Sequence, residues 1–417
     1  MAQSVRRTNF EQSRRWALLS LLNLSIVAIL GALLRYKLAF SLPSVNYMHA
    51  LEAHNQFAFS GWVSLAIFTS FVYLISGDQL SIRRSYWLLF NLAQMANFGM
   101  MFSFLIQGYS PLSIAFSFLA IVFSYWFAWQ YWGQLRKSNL PLLVRCFAKV
   151  ALSCFVLSWS PFLLVHTLLH NSIDNNLYHN SIYFFLHFQY NGWFTFAVFA
   201  ILFAKLHSSE IPFDEGKGFL FFRVLSLACI PAYSLSILWT DPPIWVFVVA
   251  AAAALAQLFG VIILLKLLYE IRKSLKDKLF ANVRVIWLFS LAAFSIKLVL
   301  QALSVVPFLG KYAFGSRSII IAYLHLVLLV FVTFFLFGFF LLQGFFKSSA
   351  KMGNSGLRVF VSAVLINEIV LVMQGINWNP GSSVETTQII LFWIAALIFV
   401  GLGLFYLNQF QYRKTRR

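Results

Sequence analysis

Eight histidines are the residues best placed to do chemistry in this chain: His49, His54, His166, His170, His179, His187, His207 and His325. Three of them, His54, His187 and His325, each stand several residues inside a long apolar run. An imidazole at that depth must hydrogen-bond or ligate something, because an unpaired polar group in hydrocarbon is strongly disfavoured. The roles open to it are axial haem ligand, copper ligand, quinone contact or satisfied structural hydrogen bonder. A single such histidine reads as structural. Three at matched depth, on runs far apart in sequence, favour a redox or metal site.

The neighbouring residues suit haem. His54 is followed by Phe57, Phe59, Gly61 and Trp62, His187 by Tyr190, Gly192 and Trp193, and His325 lies in Tyr323-Leu-His-Leu-Val. A porphyrin needs flat apolar walls and a helix face slim enough for its edge, which Phe with Gly provides, although a membrane core rich in Phe accounts for the same residues. Arg317 and Lys311 suit haem propionates or ordinary interface anchoring. Tyr183, His187 and Asn191 follow one another at helical-turn spacing and share a face. His166 and His170 also share one, as a weak metal pair or as rim residues. Lys297 and Glu368 lie well within apolar runs, where a charged group is a candidate for an ion or proton path and equally for structural pairing. Cys146, Cys154 and Cys229 have no close spacing and read as small buried hydrophobes, and without a CxxCH motif no c-type haem is expected.

The elements that must position these groups are membrane helices. Of 417 residues, 61% are hydrophobic and 10% charged, more apolar surface than a soluble globule can hide. Runs long enough to cross roughly 30 Å of hydrocarbon, about 20 residues each, fall near residues 16–37, 53–75, 85–106, 111–134, 147–169, 181–204, 219–239, 244–268, 286–305, 319–344, 357–376 and 385–408. The expected fold is an all-α bundle of about twelve transmembrane helices in a single domain, with short basic tails at 1–15 and 409–417. The first apolar run lacks a small-residue cleavage site and reads as a retained span.

The net charge of +19 comes from 31 Lys and Arg against 12 acids. The basic residues sit in alternate short loops, including Arg136, Lys137, Arg145 and Lys149, then Arg272, Lys273, Lys276, Lys278 and Arg284. This pattern places both termini in the cytoplasm, in what is expected to be a bacterial inner (plasma) membrane, and makes nucleic acid an unsuitable partner. It also puts every histidine except His207 toward the outer side.

His54-Asn-Gln-Phe-Ala-Phe-Ser-Gly-Trp62 resembles the second-helix motif of the catalytic subunit I of the haem-copper oxidase and nitric oxide reductase superfamily. In that motif the histidine ligates the low-spin haem near the outer face. The resemblance covers essentially the whole chain: twelve spans, both termini inside, His187 on the sixth span where the family has a copper ligand, and His325 on the tenth where it has haem ligands. It implies haem b bound by His54 and His325, walled by Phe57, Phe59 and Trp62 with Arg317 nearby. It also implies electron transfer, or sensing or reduction of oxygen or nitric oxide, with quinone or a redox protein as partner.

Three departures bear on that expectation. Residues 219–239 contain no histidine pair, the tenth span has Val327 where a second histidine would stand, and His187 is followed four residues later by Asn191 in place of tyrosine. The usual three-histidine copper site is therefore not assembled. Two other readings stand beside the first. One is a haem-independent membrane metal protein using His166, His170 and His187. The other is a transporter using Lys297 and Glu368, for which no broken helix is evident in the sequence.

Overall fold

Helices carry nearly all of the described chain, as they must where no water is available to hydrogen-bond the backbone. The structure, a computed structural model, describes residues 2–76, 84–160, 175–348, 351–377 and 384–414. In chain order the long helices are α1 (Ala2–Ala39), α2 (Tyr47–Ser76), α3 (Arg84–Gln107), α4 (Pro111–Leu135), α5 (Leu142–Ser158) and α6 (residues 175–208). They continue with α7 (Glu215–Thr240), α8 (Ile244–Glu270), α9 (Ala281–Leu303), α10 (Arg317–Leu342), α11 (Lys351–Gly375) and α12 (Val384–Lys414). Among the described residues ten helices are long and apolar enough to cross a bilayer, which makes the chain an all-α polytopic membrane protein. The other two are α5, with 17 described residues, and α6, whose apolar run is interrupted by His187, Gln189 and Asn191. The remainder of the span expected over 147–169 lies outside the described residues.

Helix ends follow local chemistry. Asn46 caps α2 by accepting from the Met48 and His49 amides at 2.9 and 3.3 Å. Asp214 caps α7 by accepting from the Lys217 amide at 3.0 Å. Between α3 and α4 the chain reverses at Gly108, whose φ of +62° suits glycine and whose missing Cβ leaves room for the His49 ring.

Contacts divide the chain into two compact units, Met1–Tyr131 with Leu336–Arg417, and Trp132–Phe335, so that the boundaries fall inside α4 and α10. In the first unit, α11 packs along α12 through small residues. A Cβ on Gly356 would lie 2.8 Å from the Gly401 carbonyl, an approach only glycine permits. In the same unit the buried Arg14 of α1 donates to the carbonyls of Phe345 and Gln409 at 3.3 and 3.4 Å. The second unit is built on a cluster of rings that includes Phe147, Phe199, Phe221, Phe294 and Phe331.

Among the described residues three helices contain a π-helical segment: Ala58–Ser64 in α2, His187–Phe194 in α6 and Leu326–Thr333 in α10. A π turn carries one extra residue and loosens the regular ladder, so carbonyls in it become available to other donors. In hydrocarbon those carbonyls need partners, and each segment has them. Asn23 donates to Gly61 O at 2.6 Å and Thr195 to Tyr190 O at 2.6 Å. Thr333 donates to Leu328 O at 2.7 Å and Ser290 to Phe331 O at 2.6 Å.

Candidate functional site

The three intramembrane histidines all stand at the start of, or just before, a π segment. His54 precedes that of α2 by four residues, His187 begins that of α6, and His325 immediately precedes that of α10. His54 belongs to the first unit, and His187 and His325 to the second.

His54 turns toward α1. Its Nδ1 is 3.1 Å from the Val27 carbonyl, and the approach is open because Gly31, one turn further along α1, has no side chain. A Cβ there would meet His54 Cε1 at 3.2 Å. A carbonyl can only accept, so Nδ1 carries the proton and Nε2 keeps its lone pair, the tautomer assigned by the hydrogen bond. Phe57 and Trp62 are buried, as a haem wall would require. The slim face at Gly61, however, is covered by the Phe57 ring, whose edge lies 2.7 Å from where a Cβ would be.

His187 is fully buried, with 0% exposure, and both of its ring nitrogens are engaged. Pro231 supplies no amide hydrogen and α7 tightens there into a 3-10 turn, in which Tyr233 N bonds Ile230 O. The Cys229 carbonyl is thereby released and accepts from His187 Nε2 at 2.9 Å. Asn191 Nδ2 donates to Nδ1 at 3.0 Å, as the shared face foresaw, and Asn191 Oδ1 accepts from Gln301 Nε2 at 3.4 Å. The result is one oriented chain, Gln301 to Asn191 to His187 to the Cys229 carbonyl. In this arrangement neither His187 nitrogen directs a lone pair at a metal.

Lys297 lies one helical turn before Gln301 on α9 and is 1% exposed. Among the described residues no carboxylate pairs with it. Its Nζ instead lies 6.0 Å from the ring centre of Tyr190 and 5.6 Å from that of Phe294. Tyr323 packs edge-on against Tyr190 with ring centres 5.9 Å apart. Gln301 Oε1, the Tyr323 hydroxyl and Gln189 Oε1 are buried without a hydrogen bond on the helices that meet here. A buried lysine and orphaned oxygens thus accompany the hydrogen-bond chain.

The other expected residues are more dispersed. His325 is partly buried at the C-terminal end of the α-helical part of α10, while Arg317 is exposed at the N-terminus of that helix. Phe59 is partly buried. Lys311 pairs with Asp241 at 3.0 Å, both exposed. Glu368, in the first unit, accepts from Asn367 at 3.2 Å. Cys154 and Cys229 are buried and their thiols meet, with Cys154 packed against Gly192. His166 and His170 lie outside the described residues. Among the described residues no group of three His, Cys, Asp or Glu side chains is placed to hold a metal ion.

Sequence reasoning singled out Lys297, His187 and Asn191 but missed Gln301, Tyr323 and the Cys229 carbonyl. Gln301 had a signal, because it stands four residues after the lone intramembrane lysine. Asn23 and Gln94, which bond each other at 2.9 and 3.1 Å beside the α2 π segment, had none beyond their polarity within apolar runs. Compared with known families and with characterised proteins, the sequence matches no family model and no curated relative.

Proposed function

We propose that the chain is a haem-independent membrane transporter for a small ion, with its path through the interior of the second unit and Lys297 as the charge the ion meets. The observation that carries this reading is the buried, acid-free Lys297 beside the Gln301–Asn191–His187 chain. An ammonium in low dielectric without a counter-charge is disfavoured by several kcal/mol, so a purely structural lysine would be paired or would reach to an interface. Intramembrane charge facing a bundle interior characterises ion and proton pathways. The π segments of α2 and α6 add support, because interrupted helices are where transporter folds place their sites.

The test is flux. Purified protein reconstituted into proteoliposomes, under imposed ion and pH gradients, is expected to dissipate them as followed by potential-sensitive and internal pH dyes. Lys297→Met is expected to fall to the level of empty vesicles. Wild-type protein that carries no flux under any of these gradients overturns the reading.

One observation favours a second reading, in which the chain binds haem b. His54 donates Nδ1–H to a backbone carbonyl and leaves Nε2 as an acceptor, which is how ligating histidines are commonly held. A haem on Nε2 would supply one-electron transfer, with Trp62 and Phe57 walling that side and a quinone or redox protein as partner. The recurrence of His54, His187 and His325 on every fourth helix in chain order also accords with the resemblance to haem-copper oxidase subunit I. A pyridine haemochrome assay on wild type, His54→Ala and His325→Ala decides it. A b-type spectrum lost in His54→Ala supports haem, and its absence from folded protein expressed with excess haem removes this reading.

A further inference from the structure

We propose that the turn between α8 and α9 is a binding site for an acidic phospholipid, whose phosphodiester headgroup is taken by Lys273 and Lys276. The turn carries a short helix, Arg272–Lys278, of sequence Arg-Lys-Ser-Leu-Lys-Asp-Lys, which has no buried residue. Four of its side chains are cations and one, Asp277, is an acid. Charge of this amount in a loop already orients a membrane protein, so amount alone does not make a site. Here the cations are also held in place, and the lysines are unspent.

The short helix is tied down on both sides. Ile271 before it and Leu279 after it are buried. Arg272 donates Nη1 to Tyr269 O at 2.7 Å, with its guanidinium carbon 3.8 Å from the Tyr269 ring centre. Arg284, from the first turn of α9, donates to the carbonyls of Lys276 and Leu279 at 2.7 and 3.2 Å. The two arginines thus serve as scaffold. The preceding acid, Glu270, is engaged by Lys217 at 2.5 Å and does not neutralise the turn. Among the described residues no acid pairs with Lys273, Lys276 or Lys278. Lys273 and Lys276 stand one helical turn apart, on the same side of the short helix, and both are exposed.

Position selects a lipid over a soluble anion. α8 ends at Glu270 and α9 begins at Ala281, so these lysines stand at the ends of two membrane-spanning helices. Tyr269 and Phe280, which flank them, are 64% and 68% exposed, and Leu288, two turns into α9, is 64% exposed. Aromatic rings at the ends of spans sit at headgroup level, and the exposed aliphatic surface beyond them is covered by acyl chains. A ligand that meets both surfaces has an anionic head and an apolar tail. Ammonium groups offer donors and no acceptor. A phosphodiester supplies acceptors and negative charge, whereas a zwitterionic headgroup adds a cation of its own.

The experiment measures thermal unfolding of the full chain in a non-ionic detergent by tryptophan fluorescence, with phosphatidylglycerol titrated in against phosphatidylcholine at constant total lipid. A ligand that binds only the folded state raises its stability with concentration, so phosphatidylglycerol is expected to raise the unfolding temperature saturably beyond phosphatidylcholine. Added salt is expected to weaken the effect. Lys273→Gln and Lys276→Gln are each expected to weaken apparent affinity about fivefold. Asp277→Asn, which removes the one acid of the short helix, is expected to tighten it by a similar factor. Lys351→Gln/Arg358→Gln, which neutralises two exposed cations of α11 in the first unit, is expected to leave the affinity unchanged.

A rise no larger with phosphatidylglycerol than with phosphatidylcholine overturns the inference. So does an equal loss in the α11 double variant, which would make the effect one of net charge and not of this turn. Inorganic phosphate that reproduces the full rise without lipid would replace the lipid by a free anion and also overturns it. Affinity unchanged in both Lys276→Gln and Asp277→Asn removes the short helix from the site.

Discussion

Replacing His187 by phenylalanine is expected to be among the most damaging changes in the second unit. It leaves the Cys229 carbonyl and the Asn191 amide buried without partners, each worth about 1–3 kcal/mol. Asn191→Leu alone strands His187 Nδ1 and Gln301. The double variant His187→Phe/Asn191→Leu is therefore expected to lose less than the sum, with a coupling of about 0.5–3 kcal/mol in a double-mutant cycle of detergent unfolding. Additive losses would show that the two side chains act independently. At this scale, the sequence marks His54, His187 and Lys297 as polar groups in apolar runs. It was silent about their partners. Val27 O and Cys229 O are backbone atoms of other helices, and the second is available only because Pro231 alters the turn after it.

Among the elements, α2 offers the sharpest test. Asn23→Leu removes the donor to Gly61 O and the partner of Gln94, and a loss of about 1–3 kcal/mol per stranded group is expected. Unfolding of Asn23→Leu at the wild-type temperature would mean that Gly61 O has other means of satisfaction. The cap of α7 makes a separate, pH-dependent prediction. The Asp214 carboxyl is held below its ordinary range, first by the Lys217 backbone N–H and then by the Lys217 charge. Its stabilising contribution is therefore complete above the ordinary carboxyl range and fades as pH falls through the lowered value. Asp214→Asn, which still caps, is expected to flatten that acid limb, as read by unfolding temperature against pH. Helix positions were legible because each expected apolar run falls, over its described residues, largely on a helix. The π segments were not, since one additional residue leaves hydropathy unchanged. Two of the three contain Gly-Trp after a histidine, at Gly61-Trp62 and Gly192-Trp193, and the third does not.

For the whole molecule, the second unit is one continuous stretch of chain set between the two parts of the first. The large side chains that remain exposed on the helices, among them Trp129, Leu227 and Ile244, are those a bilayer would cover. Orientation follows from the Lys and Arg pattern rather than from packing, so reporter fusions at residues 1 and 417 are both expected to signal the cytoplasm. A split result would require an odd number of crossings and a different assignment of α5 or α6. Overall class was thus readable from composition, and the loop charge supplies the orientation that the fusions test. The division into two units was not, because it depends on which helices pack together.

The π segments also set a phase. An α-helix turns by about 100° per residue, so removing one residue from 58–64 or 187–194 would restore a regular ladder and swing everything on one side of the deletion by about that angle. Trp62 would leave its buried setting against Phe337, or His54 would leave α1. The two halves of each such helix are therefore mutually timed, and a single-residue deletion there shifts every side chain beyond it, which a substitution does not.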